Sequence, residues 1–378
     1  MQYNVVPEWG NLQVSRLGMG CMRLPTKKDG DKTVVDRPEA IELIRAAIDG
    51  GVNYIDTAYG YHGGQSELVT GEALLDGYRD RVSLATKLPS WLVKEEADMD
   101  RILDEQLKKL RTDHIDFYLL HAVNKSHIAN YRKLGYQRFL DRAKADGRIG
   151  RACFSFHDDA ATFLDILDDY DWAMCQVQFN YMDTDNQAGL SGIQAAGRKG
   201  VGVVVMEPIR GGALANPPET VKAMMEGYPV KRTPVEWAFA YVAQFPENRV
   251  LLSGMSNTQQ LSENLKTFET LNEGPLPQAE RDFIDEVTRA YRSRVYVGCT
   301  GCRYCAPCPQ GVAIPDIFHN FDESYMFDNF GHFKWFYGEC VEKGTDASKC
   351  VECGACEEQC PQKIPIIRRL AEIRERSA

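Results

Sequence analysis

Short apolar, β-rich runs alternate with longer amphipathic ones through most of this chain. The short runs are RLGMGCM, NYIDTA, VSLATKL, IDFYLLHA, GRACFSFH, MCQVQFNY, GVGVVVME and RVLLSGMS. Between them, PEAIELIRAAIDGG, SELVTGEALLDG and MDRILDEQLKKLRTD repeat apolar residues at helical spacing. The first of these opens on Pro38, where a helix tolerates proline, and stops at Gly50-Gly51. Eight strands with intervening helices over about 250 residues predict an α/β fold, a (β/α)8 TIM barrel. A doubly wound sheet is the competing architecture. It requires a glycine-rich phosphate turn that opens a helix after the first strand, and LGMGCMRL opens none.

The periodicity changes near residue 290. LNEGPLPQAERDFIDEVTRAYRSR reads as a Pro/Gly linker and one more helix, dividing a barrel at 1–290 from a small module at 291–378. Of 12 cysteines, three (Cys21, Cys153, Cys175) are scattered through the first part, and nine lie between Cys299 and Cys360. In a reducing compartment such clustering points to metal binding, not disulfides. Between two cysteine runs, Pro309 to Lys349 is crowded with Phe318, Phe321, Tyr325, Phe327, Phe330, Phe333, Trp335, Phe336 and Tyr337. So short a module needs large rings to bury enough surface, so these are expected to form its α-helical core.

A net charge of −10 disfavours nucleic acid and anionic membranes as partners. MQYNVVPEWGNLQ lacks the features of a secretion signal, and no apolar run approaches the ~18 residues of a membrane span. The expected location is cytoplasmic.

Four polar residues stand at or just beyond predicted strand ends: Asp56, Tyr61, Lys87 and His121. The C-terminal ends of barrel strands share one mouth, so these residues are expected to converge. A tyrosine is a proton donor with an ordinary pKa near 10, so it needs help at neutral pH. A nearby ammonium favours tyrosinate and is expected to lower that pKa, while Asp56 fixes the ammonium. A neutral His121 can donate a hydrogen bond to a carbonyl oxygen as charge builds there. Taken singly, Lys87 reads as a solvated lysine and His121 as a structural histidine; Tyr59 rivals Tyr61 as the acid.

The segments GMGCMRLP, NYIDTAYGYHGG, LATKL, TDHIDFYLLHA, QVQFNY, VVVMEPIRGG and SGMSNTQQLSENL resemble the aldo/keto reductase family over residues 1–290. The resemblance implies an oxidoreductase acting on a small carbonyl or hydroxyl compound, with Asp56, Tyr61, Lys87 and His121 as catalytic tetrad and Tyr61 as general acid. It implies that Ser155 and Gln176 hold the carboxamide of NAD(P)H. Further cofactor contacts come, by the same resemblance, from Gly20, Cys21, Met22, Arg23, Pro208, Ile209, Arg210, Gly211, Glu263 and Asn264. Met206 takes the place where the family commonly puts an aromatic ring beneath the nicotinamide. Phe156 and His157 replace the usual Asn after the amide-binding Ser. SGMSNTQQLS carries no cation for the 2′-phosphate of NADPH, which then lacks its charge-assisted partner; Arg210 is one candidate substitute.

Cys350-x2-Cys353-x2-Cys356-x3-Cys360-Pro361 reproduces the bacterial ferredoxin pattern for a [4Fe–4S] cluster. Cys299-x2-Cys302-x2-Cys305-x2-Cys308-Pro309 is one residue shorter before its last cysteine. In two-cluster proteins the last cysteine of a run ligates the other cluster. The expected sets are therefore Cys299, Cys302, Cys305 and Cys360 for one cluster, and Cys350, Cys353, Cys356 and Cys308 for the other. Zinc also takes C-x2-C pairs, though more usually separated pairs than quartets ending in Cys-Pro. Cys340 is left over, as an ordinary buried or spare thiol. The module resembles a helical dicluster ferredoxin, and the whole chain a subgroup of aldo/keto reductases carrying one.

A nicotinamide delivers two electrons at once and a cubane one. Three readings stay open: a carbonyl reductase with structural or sensing clusters; a relay from a ferredoxin to a redox centre such as FMN at the barrel mouth; and a non-catalytic iron–sulfur sensor.

Overall fold

A computed structural model describes residues 1–30, 32–271 and 274–377. All eight apolar runs are strands: β1 (Leu17–Gly20), β2 (Tyr54–Asp56), β3 (Ser83–Pro89), β4 (Ile115–Val123), β5 (Ile149–Phe156), β6 (Met174–Gln178), β7 (Gly202–Met206) and β8 (Asn248–Ser253). Sequence neighbours pair in parallel and β8 returns to β1, closing the barrel. The register sets Gly20 opposite Asp56, Asp56 opposite Ala85, Lys87 opposite Leu119 and Pro89 opposite His121. Polar residues from separate strands are thereby brought to one rim.

Tyr54, Ala85, Phe117, Leu119, Cys153, Met174, Val204, Val250 and Leu252 form a dry interior cluster with Trp9. Trp9 belongs to an antiparallel hairpin, Tyr3–Val6 with Leu12–Ser15. Its indole packs edge-on to Phe117 at 4.8 Å and donates to the Ala173 carbonyl at 2.8 Å. A Cβ on Gly202 would lie 2.7 Å from that ring, so this strand start has room for glycine alone.

The helices follow the predicted pattern. Arg37–Asp49 starts with Pro38 in its first turn and ends at Gly50, followed by Gly51 with φ 95°. Glu96–Leu110 is closed by a capping box between Glu95 and Asp98.

The chain divides into two compact units, Met1–Arg210 with Glu236–Pro277, and Gly211–Val235 with the chain from Gln278 onward. The expected helix after the linker is Gln278–Arg292; linker residues Asn272 and Glu273 lie outside the described residues. Among the described residues the regular elements of the second unit are helical. Ile314–Phe327, Phe330–Lys343 and Ile366–Ser377 enclose Ile317, Phe318, Phe321, Phe333, Tyr337 and Leu370. The expectation that every ring there is core needs correction: Trp335 is 64% exposed and Phe330 37%. Trp335 instead stacks on His332, one helical turn before it, on the outer face of Phe330–Lys343. Cys340 is buried, as expected. No described helix is long and apolar enough to cross a membrane.

Candidate functional site

Asp56 ends β2 and Lys87 lies in β3, on neighbouring strands, both almost wholly buried. The Lys87 Nζ donates to Asp56 Oδ1 at 2.7 Å, to the Thr57 carbonyl at 2.9 Å and to the Tyr61 hydroxyl at 3.2 Å. Tyr61 is held just beyond β2 by a turn in which His62, Gly63 and Gly64 all have positive φ. The His62 Nε2 accepts from the Leu24 backbone at 3.1 Å and pins this turn to the segment after β1. The His121 ring meets the Tyr61 ring edge-on at 5.9 Å. All four expected catalytic residues are therefore together. Tyr59 is elsewhere: its hydroxyl donates to Glu105, and Lys109 caps its ring at 3.7 Å.

The presentation of His121 depends on a break in regular pairing. The β4–β5 register shifts between Leu120 and Val123, and Ala122 has φ 50°. Such irregularities re-aim side chains at sheet rims. The freed Ala122 amide donates to Ser155 Oγ at 2.8 Å. Trp91, which sequence reasoning did not single out, lies with its ring 5.1 Å from His121.

Burial, Lys87 and the nearby His157 and His127 hold His121 well below the ordinary histidine value. The imidazole is thus neutral, and its buried Nδ1 has no partner. Burial pushes Lys87 down, but Asp56 and Tyr61 outweigh it and the ammonium keeps its proton. Burial raises the Asp56 carboxyl against the pull of Lys87. Tyr61 corrects the sequence-based expectation. Burial raises its phenol above the ordinary value, and the lowering by Lys87 is the smaller effect. The phenol is a fully protonated donor at neutral pH, and the ammonium acts on the phenolate once it forms.

Ser155 and Gln176 are register partners on β5 and β6, both buried. Gln176 Nε2 lies 3.9 Å from Met206 Sδ, and its buried Oε1 has no partner. Gly20 ends β1 and leads into the turn Cys21–Arg23. Burial pushes the Cys21 thiol up to about 12, so it is inert, while Met22 and Arg23 face solvent. Asn264 is buried and donates to Ser253 Oγ at 2.9 Å; Glu263 is exposed and accepts from Gln259. Pro208 is buried and Ile209 half-buried beyond β7. Arg210 is engaged by Asp183 at 2.9 Å, and Gly211 begins the second unit.

Below the tetrad lies a network that sequence reasoning missed. Glu67, fully buried, accepts from Thr86 Oγ1 at 2.7 Å and Gln106 Nε2 at 2.6 Å. Gln106 also donates to the Lys87 carbonyl at 3.0 Å and accepts from Tyr118 at 2.8 Å. These bonds fix the strand that carries Lys87. Glu67 stands one helical turn before the buried Thr70, and nothing in the sequence separates it from a solvated glutamate.

In the second unit, thiols line two cavities. Cys299, Cys302, Cys305 and Cys360 border one; Cys308, Cys350, Cys353 and Cys356 border the other, and Cys305 lines both. Among the described residues, no three Cys, His, Asp or Glu side chains gather tightly enough to hold a single metal ion.

Two curated relatives from Bacillus subtilis match part of the chain. Aldo-keto reductase YhdN is 39% identical over 129 residues, 32% of this chain and 38% of that protein. The uncharacterized oxidoreductase YqkF is 34% identical over 121 residues, 30% of this chain and 36% of its own. The chain thus spans little more than a third of the length of these relatives. Among solved structures, the holo form of aldo-keto reductase AKR11C1 from Bacillus halodurans superposes with TM-score 0.62 at 24% identity, covering 76% of this chain and 95% of that one. A Klebsiella pneumoniae aldo/keto reductase in complex with NADP and acetate gives 0.61 at 21% identity, covering 75% and 95%. These likenesses show the fold. A 4Fe-4S dicluster domain matches residues 298–364. The Aldo/keto reductase family matches residues 16–288, most of the chain, and the chain belongs to that family.

Proposed function

We propose that the barrel is an oxidoreductase that reduces a small carbonyl compound, or oxidises the corresponding alcohol, with Tyr61 as general acid, and that the second unit holds two [4Fe–4S] clusters. The carrying observation is the unbroken contact from Asp56 through Lys87 to Tyr61 beside a neutral His121 with an unpartnered Nδ1.

NAD(P)H, when bound, supplies a hydride to the carbonyl carbon. Ser155 and Gln176 would hold its carboxamide: the orphaned Gln176 Oε1 accepts an amide N–H, and the Ser155 hydroxyl has a proton to donate. His121 orients the carbonyl oxygen by a hydrogen bond that strengthens as negative charge gathers there. Tyr61 gives that oxygen its proton, and Lys87 stabilises the resulting phenolate at 3.2 Å. Asp56 keeps the ammonium in place without a rotamer search. The complexes of relatives with NADP support a nicotinamide here.

The two thiol-lined cavities support the crossed ligand sets, each with three cysteines of one run and the last of the other. A cubane is larger than one ion and suits thiols arranged around a cavity. Bound clusters would exchange single electrons or brace the unit.

The relay reading is favoured by a separate observation. Met206 replaces the ring under the nicotinamide, and Arg210 is already paired with Asp183. Anaerobic purification followed by absorption spectroscopy and NAD(P)H titration tests the choice. The hydride reading expects saturable NAD(P)H binding without flavin. Flavin bands over the cluster absorption, without nicotinamide binding, would replace it with the relay.

The tetrad also fixes a pH profile. With Tyr61 raised and His121 depressed, kcat/KM for carbonyl reduction should be flat from about pH 6.5 to about 9. Below that window activity falls as pH drops through the depressed His121 value, where the imidazole becomes cationic beside Lys87; above it, activity falls as Tyr61 loses its proton. An inflection near 6.5 that disappears in His121→Ala would show that His121 titrates normally.

A further inference from the structure

Asp322 is buried in the helix Ile314–Phe327, and its partners are backbone amides. Oδ1 accepts from the Tyr296 amide at 2.8 Å and the Val297 amide at 2.6 Å; Oδ2 accepts from Gly298 at 2.9 Å and Cys299 at 3.3 Å. Four successive N–H groups thus converge on one carboxylate, and the last belongs to the first cysteine of the first run. Gly298 has φ 73°, a conformation natural for glycine, which lets the segment curl around the acid. Tyr296 is anchored as well, its hydroxyl donating to Glu372 at 2.8 Å and its ring covered by Arg369 and Arg376. An apolar residue there would leave four amides without their acceptor, so the carboxylate is tied to this one backbone path. What the carboxylate achieves is a fixed backbone leading into Cys299.

We propose that Asp322 is the positioning residue of the Cys299, Cys302, Cys305, Cys360 cluster site, and that its charge holds that cluster at a lower reduction potential. The inference rests on the cluster reading above. Asp322 sets the direction in which Cys299 enters the site, so ligation does not have to order a free loop. Its negative charge opposes the gain of an electron close by, and it engages amides that could otherwise donate to cluster sulfur, a contact that raises potential. Among the described residues no carboxylate gathers four amides ahead of Cys350: the buried Asp346 accepts from the Ser348 amide, and the Cys350 amide donates to the Ala347 carbonyl. The two clusters are therefore unequal, with one tuned by Asp322.

The test is Asp322→Asn in the full chain, purified anaerobically, with iron analysis and an EPR-monitored redox titration. One of two EPR components should move to a more positive midpoint while the other stays. Iron release to a chelator should accelerate about tenfold for half of the iron, the loss expected from removing an outer support of a metal ligand. Asp322→Glu, which keeps the charge, should recover most of the potential but less of the release rate. If neither component shifts in Asp322→Asn, the inference falls while the clusters stand. If the wild type holds no clusters, both readings fall. Should Asp322→Asn not fold, hydrogen exchange on the wild-type holoprotein decides: slow exchange at 297–299 is expected, and exchange at the rate of an open loop overturns the assignment.

Discussion

Tyr61→Phe should cut carbonyl turnover by about 10²–10⁴-fold, the usual contribution of a positioned general acid, while iron content and NAD(P)H affinity stay as in the wild type. The variant removes one oxygen from a ring that otherwise keeps its edge contact with His121. The ion pair beneath it survives, because Lys87 still has Asp56 Oδ1 and the Thr57 carbonyl. The loss is therefore chemical and should appear in kcat with little change in KM, as expected for an interaction made in the transition state. Lys87→Met is the complementary case. It strands the Asp56 carboxylate in a site almost closed to water, and removing one partner of a buried pair costs about 3–5 kcal/mol. That variant should lose stability as well as rate, whereas Tyr61→Phe should keep its melting temperature. Comparable turnover in wild type and Tyr61→Phe would take the acid role from Tyr61.

The contrast bears on what the chain discloses before it folds. Strand-end chemistry is legible because a polar residue that ends a run such as YLLH has few structural reasons to be there, and a closed parallel barrel sends all such residues to one rim. Asp56, Lys87 and His121 are visible on that ground. The supporting layer is hidden. Glu67 and Gln106 look like ordinary polar helix residues, and their burial depends on how two helices pack against β3. At Gly71 a Cβ would lie 2.5 Å from the Lys109 carbonyl, so close packing of these helices needs glycine there. The bulge at His121–Ala122 is equally silent, since a shift in strand register leaves no mark on apolar alternation.

The environment of Tyr61 is half legible for a related reason: Lys87 lowers the phenol pKa as its charge predicts, but burial raises it more. Charge is written in the sequence, but desolvation arises only when the barrel closes, and here it is the larger influence on the phenol. Nothing local in the N-terminal segment tells that Trp9 fills the barrel beside Phe117.

Cys360→Ala should abolish the cluster held by the other cysteine run and leave the one held by its own. Roughly half of the iron should disappear, since Cys360 borders the cavity of Cys299, Cys302 and Cys305, whereas Cys350, Cys353 and Cys356 border a different one. Half-loss alone does not reveal which cluster went, because pairing within each run predicts the same amount. Two double variants separate the cases. Under crossed pairing, Cys302→Ala with Cys360→Ala strikes a single cluster and keeps half of the iron, while Cys353→Ala with Cys360→Ala strikes both and keeps none. Under pairing within runs the two outcomes exchange places. The physical ground for the crossed case is that the short helix Ala355–Gln359 ends before Cys360, whose extended backbone carries it into the core beside Ile364 and Ile366, where it borders the cavity of Cys299, Cys302 and Cys305. A cluster retained in the first double variant also reports that the unit still folds, so the iron lost from the second reads as lost ligation.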